Sequence, residues 1–258
     1  MAMAAPLGHI VCALALLNSG QAPIADQEAF LAGTSFPDIR YVSDVSRKTT
    51  HFLADTSLNY VFDANTSFES GRRFHVFVDR ARERHMRDHN AYHFVEHGPL
   101  KTQMLKLVED RVLFDILKND QIPNKIFNRI YDEEANYGIP LADILAWHRM
   151  LKIYLDTSYW FGIYRYFSVI KEYRSSFGFP KNYTLWQKIK AAGFFIYAYY
   201  QIERLSRDQE LRTIILDFYQ HKINDLLSQY SATSIRLKIS FDERNHATFL
   251  FARLLNKT

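Results

Sequence analysis

Nowhere in this chain do apolar and polar residues alternate with a period of two over the length of a strand. Apolar residues recur three and four positions apart instead, as at Phe74, Phe77 and Val78. A strand with one buried face needs the first pattern and a helix the second, so the patterning argues against a sheet and predicts an all-α chain. The chain breakers agree: 9 glycines and 7 prolines among 258 residues leave it short of hairpin turns. Hydrophobic residues make up 48%, with 20 Phe and 16 Tyr, enough for a sizeable core.

The breakers also divide the chain. Pro6, Leu7 and Gly8 precede an apolar helix over 9–18, which Gly20 and Pro23 end. A short helix is predicted over 26–33, followed by a loop carrying Asp38, with His51 opening or entering the next short helix. Further helices are predicted over 69–92 and 100–118, and a short one after Pro123. Pro140 starts a long helix reaching about 173, and helices over 184–204, 206–229 and 234–255 complete about nine. No repeat or Ser/Gly linker marks a boundary. We therefore expect a single all-α domain over 1–258, with a metal-site half over about 1–120 and a packing half over about 121–258.

Cys12 stands alone, which excludes an intrachain disulfide and any Cys-rich zinc finger and suggests a reduced compartment. The apolar start, MAMAAPLGHIVCALALL, lacks a basic leading region and carries His9, so it reads as a mature helix and a cytoplasmic location is expected. The run AAGFFIYAYY at 191–200 is far shorter than the roughly 20 residues of a span. No transmembrane segment is expected, while peripheral membrane contact stays compatible. A net charge of +4 favours anionic or phosphate-bearing partners without naming one.

Six potential metal ligands, His9, Asp38, His51, His75, Asp79 and His85, precede residue 90. On a helix His75 and Asp79 are one turn apart, so both side chains can close on one cation. Nitrogen and oxygen donors without a thiolate are more typical of catalytic than of structural zinc, so the chain reads as a metalloenzyme.

Taken together, PLGHI at 6–10, FLAGTSFPD at 30–38, HF at 51–52 and FHVFVDRARERH at 74–85 resemble the zinc-dependent phospholipase C family. That family shares its helical fold with the single-strand-specific P1-type nucleases. The shared order is an N-terminal histidine, an aspartate after Pro, a histidine about a dozen residues on, His-x-x-x-Asp, and a histidine six residues later. It covers residues 6 to about 115. The resemblance implies a multi-helix phospholipase C / P1 nuclease-like bundle in which Asp38, His51, His75 and Asp79 hold one zinc and Asp79 bridges to a second that His9 also binds. A third ion would use His85 with Glu109, but Leu105 stands where the family places another histidine. The family's N-terminal Trp ligand has no counterpart here either. Between one and three zinc ions are therefore expected.

The chemistry implied is hydrolysis of a phosphoric ester, phospholipid first and single-stranded nucleic acid second, with Asp38 as the catalytic residue that orients or deprotonates water. A protein that kept the fold and part of the ligand set but lost catalysis is the other class, and Leu105 argues for it. An HD-type phosphohydrolase would need an adjacent His-Asp pair, which the sequence lacks. Blander readings stand beside these. Arg72, Arg73, Arg80, Arg82 and Arg84 could pair with phosphate but read mostly as solvated charges. His89 and His93 read as a wet helix face, with His97 as a substitute for the missing family ligand. Glu109 and Asp110 could equally pair with Lys106 or Arg111, and the aromatic runs at 153–167 and 194–202 read as core.

Overall fold

The computed structural model describes residues 6–20, 22–55, 57–95, 101–117, 124–156, 159–163 and 185–234. Among them every regular element is helical. In chain order these are α1 (Pro6–Asn18), α2 (Gln27–Ser35), α3 (Arg47–His51), α4 (Leu58–Phe62), α5 (Ser67–Asp88), α6 (Lys101–Leu117), α7 (Asp132–Asn136), α8 (Leu141–Asp156), α9 (Leu185–Ser206), α10 (Gln209–Asp217) and α11 (Ile223–Ser234). Tighter 3-10 turns lie at Phe36–Tyr41, Ala91–Val95 and Asn124–Asn128, and a five-residue π-helical turn, Phe218–Lys222, joins α10 to α11.

Local chemistry sets the starts. Asp26, Ser46, Ser57, Thr66 and Asp208 each occupy an N-cap and accept from a backbone N–H of the first turn, at α2, α3, α4, α5 and α10. Such a cap offsets one of the four orphan donors at a helix start. Packing sets the rest. One cluster of buried side chains runs from Leu7 and Phe30 through Phe74, Leu105 and Trp147 to Leu211 and Leu227, so residues on both sides of position 120 share it.

The crossing of α2 and α5 positions the site. A Cβ on Gly33 would lie 2.0 Å from the Phe68 carbonyl oxygen, and one on Gly71 would lie 2.0 Å from that of Phe30. Backbone therefore meets backbone at both points, a separation that only glycine permits.

Several boundaries differ from expectation. Asp38 sits in a 3-10 turn continuous with α2 rather than in an open loop. His51 closes α3 instead of opening a helix, because the chain turns extended at Phe52. α5 stops at Asp88, since Asn90 adopts a left-handed φ of 52° that a regular helix cannot continue through. The span read as one helix over 206–229 is divided by the π turn. Of the long helix from Pro140, residues 141–156 and 159–163 are helical, while the remainder to 173 lies outside the described residues, as does the helix read over 234–255. No described helix is long and apolar enough to cross a membrane.

Candidate metal centre

His9, Asp38, His51, His75 and Asp79 come from four helical segments and meet in the interior, each no more than 7% exposed. Their donor atoms form two overlapping triads, His9 with Asp38 and His75, and His51 with His75 and Asp79; within each, the atoms lie inside 4.8 Å of one another. His75 is the member common to both. Asp79, which the expected quartet shares between ions, also reaches both groups, with Oδ1 3.3 Å from His9 Nε2 and Oδ2 on the side of His51 and His75.

His75, His51 and His9 are each held by groups to which the sequence motifs gave no role. The close α2–α5 crossing brings the Thr34 carbonyl to 2.8 Å from His75 Nδ1. A carbonyl can only accept, so Nδ1 carries the proton and the lone pair is on Nε2, facing the cluster. His51 Nδ1 lies 2.8 Å from Thr50 Oγ1. Arg72 Nη1 donates to the Thr50 and Phe52 carbonyls at 2.9 and 3.1 Å, clamping the chain on both sides of His51, while the rest of its guanidinium holds Glu69. His9 sits in the first turn of α1, whose Leu7 and Gly8 N–H groups donate to the Asp110 carboxylate at 3.2 and 3.1 Å; Tyr154 donates to the same carboxylate at 2.5 Å.

The spacing between donors separates a metal site from a hydrogen-bonded network. His75 Nε2 and His51 Nε2 lie 3.6 and 3.8 Å from Asp79 Oδ2, and His9 Nε2 lies 3.3 Å from Asp79 Oδ1. The first two exceed hydrogen-bond reach. A tetrahedral ion with bonds of about 2.1 Å spaces its ligands roughly 3.4 Å apart, which matches all three. Asp38 Oδ1, His51 Nε2 and His75 Nε2 are buried with no hydrogen-bond partner, an arrangement that is costly unless something else meets the lone pairs. Burial pushes His75 down to about 4, with the neighbouring His9 adding to the effect, and pushes His51 well below the ordinary imidazole value, helped by His75 and by Arg47 and Arg40. Neutral imidazoles are what a metal requires. The residues present fit a metal ion, and these buried His/Asp groups can hold one.

The remaining candidates lie elsewhere. Glu109 is in neither triad: Arg82 binds it through both Nε, at 3.0 Å, and Nη2, and Tyr219 donates to it at 2.9 Å. Its partner is thus Arg82, not Lys106 or Arg111; Arg111 pairs with Glu203 at 2.9 Å. His85 points away from the triads, with Nε2 2.9 Å from the Ile214 carbonyl. It forms a separate group with His89 and Asp217, at the end of α10. His89 caps α5 and His93 lies in the following 3-10 turn, so no single helix carries the histidine series, and His97 falls outside the described residues. Leu105 is fully buried in the apolar core. Of the five arginines read mainly as solvated, Arg72 and Arg82 are buried, Arg72 spent on Glu69 and two backbone carbonyls and Arg82 on the Glu109 and Glu83 carboxylates and the Tyr92 hydroxyl.

Comparison of the chain with protein-family models, with curated proteins and with solved structures returned no match.

Proposed function

We propose that the chain is a metal-dependent hydrolase of phosphoric esters, zinc-dependent and phospholipase C-like. The observation that carries the reading is the convergence of five buried nitrogen and oxygen donors in two overlapping triads whose atoms lie within 4.8 Å of one another, with Asp38 Oδ1, His51 Nε2 and His75 Nε2 lacking hydrogen-bond partners. Three imidazoles and two carboxylates without a thiolate are a zinc donor set of the catalytic kind. When bound, zinc supplies a Lewis acid that withdraws charge from a phosphoryl oxygen and acidifies water to a pKa of about 7.

The chain's own groups account for the rest. Asp38, buried with Oδ1 free of hydrogen bonds, can orient a water molecule and accept its proton at that oxygen. Arg47 Nη2 stands 3.6 Å from Asp79 Oδ2 and is one-third exposed, so it joins the buried cluster to the surface and can meet an incoming anion there. Phe52, 61% exposed and next to His51, offers an apolar side chain beside the cluster to a substrate, which we take as phospholipid first and single-stranded nucleic acid second.

A second reading, a metal-binding scaffold without turnover, draws on the separation of His85 and Glu109 from the triads and on the apolar burial of Leu105. One experiment separates the two. Protein loaded with zinc and assayed for bound metal should cleave bis-p-nitrophenyl phosphate, and Asp38→Ala should lower the rate by about 100-fold or more while leaving the helical circular dichroism intact. Bound zinc with no cleavage by the wild type would establish the scaffold instead.

A further inference from the structure

The two triads meet the same distance limit, yet both draw on one atom. His75 Nδ1 is spent on the Thr34 carbonyl, which leaves Nε2 as the lone pair that His75 can give. Without His75 each triad falls to two donors among the described residues, and a zinc site takes at least three from its protein. One lone pair binds one ion, so the triads are alternatives and cannot be filled together. Ring orientation decides between them. An imidazole lone pair lies in the plane of its ring, and two rings ligate the same ion only where their planes cross near it. His9 stacks on His75, with centroids 3.7 Å apart and planes 15° from parallel. Planes so nearly parallel keep the two lone pairs side by side. His51 meets His75 edge-on, with centroids 5.1 Å apart and planes at 83°, and both Nε2 atoms approach the same Asp79 oxygen, at 3.8 and 3.6 Å. There the lone pairs can converge.

We propose that the centre holds a single zinc ion, bound by His51, His75 and Asp79, while His9 and Asp38 take no ion of their own. This rests on the metal-binding part of the hydrolase reading and not on turnover. Two imidazoles and a carboxylate are the three protein ligands of a catalytic zinc, whose fourth position is left to water or substrate. Asp38 then keeps Oδ1 for a proton, so the carboxylate that accepts from water is not the one that holds the ion. Charge points the same way. One divalent ion offsets the two carboxylates of the cluster, and Arg47 Nη2 stands 3.6 Å from Asp79 Oδ2 as a further cation. Arg40 and Lys106 act on cluster residues with the same sign. A second divalent ion would therefore enter a buried site whose carboxylates are already matched, and an unmatched buried charge is costly.

The test is calorimetric titration of zinc into the full-length chain carrying His89→Gln, which removes a donor of the separate group around Asp217, with bound metal counted by native mass spectrometry. One zinc per chain is expected. Adding His51→Gln should weaken binding by about 100-fold or more, whereas adding His9→Gln should keep the count at one and change the affinity by less than about tenfold. Helical circular dichroism checks that both variants fold. Two zinc ions of similar affinity would overturn the proposal, as would a count that drops from two to one in His9→Gln or equal losses in the two variants. Cobalt(II) gives a second measurement with His9 and His51 intact: its paramagnetic resonance signal should saturate at one bound equivalent, and the coupled signal of a bound pair would sink the single-ion assignment. One bound zinc without cleavage of bis-p-nitrophenyl phosphate would remove the hydrolase reading and leave the count standing. Cleavage that needs a second bound equivalent would do the reverse.

Discussion

Asp79 is approached by three imidazoles and an arginine, and its two oxygens face different histidines. Replacing it by Asn should weaken zinc binding by about 100-fold or more, since loss of a ligand costs at least as much as loss of an outer-shell partner. Replacing His89 by Gln should change the affinity at the main site little, because His89 caps α5 and belongs to the separate group around Asp217. Isothermal titration with zinc compares them, and equal losses would move the site to that second group. At this scale the candidate donors that converge were legible because metal donors are few residue types at fixed offsets. Their supports were not. The Thr34 carbonyl, the Arg72 clamp and the Asp110 cap act through backbone groups or across 20 to 100 positions, and no short pattern encodes them.

Among the elements, the α2–α5 crossing is the most exacting, because it holds both His75 and the carbonyl that fixes its tautomer. Gly71→Ala drives a methyl group into the Phe30 carbonyl, so it should destabilise the protein by about 3 kcal/mol or more. Gly193→Ala provides the control: within α9 its Cβ meets nothing inside 4 Å, and alanine should stabilise that helix by about 0.5–1 kcal/mol. Urea denaturation of the two variants should therefore move in opposite directions. Similar shifts would mean that the helices separate freely at the crossing. Helix existence was readable from the three-and-four spacing, whereas the ends near Asp38, His51 and Asp88 were set by a 3-10 turn, an extended residue and a left-handed Asn90, which periodicity does not record. The π turn at 218–222 likewise leaves the apolar spacing almost unchanged while adding a residue to the turn.

For the whole molecule, a buried cluster of neutral imidazoles ties stability to acidity. His75 stays neutral in the fold down to about 4, while in the unfolded chain it takes up a proton below 6.5. Between those values the unfolded state binds more protons, so stability rises with pH there and is lost as pH falls from about 6.5 towards 4. His51, shifted in the same direction, steepens the loss. Melting of chelator-treated protein should show that decline, and zinc at 100 times its Kd should add about 2.7 kcal/mol at neutral pH. Burial pushes the Asp110 carboxyl up to about 7, which stabilises the fold as pH falls and opposes the decline, so a flat profile from pH 7 to 4 would mean that this carboxyl offsets the imidazoles. Across the expected division into a metal-site half over about 1–120 and a packing half over about 121–258, Tyr154 and Tyr219 supply hydroxyls to the Asp110 and Glu109 carboxylates of α6. That has a consequence for how the protein is made. His9 leaves the ribosome about 100 residues before the Asp110 carboxylate that anchors its helix, and about 145 before the Tyr154 hydroxyl that steadies that carboxylate. Until those two groups emerge the first turn of α1 lacks its anchor, so the placement of His9 beside His75 is fixed only after synthesis has passed α8.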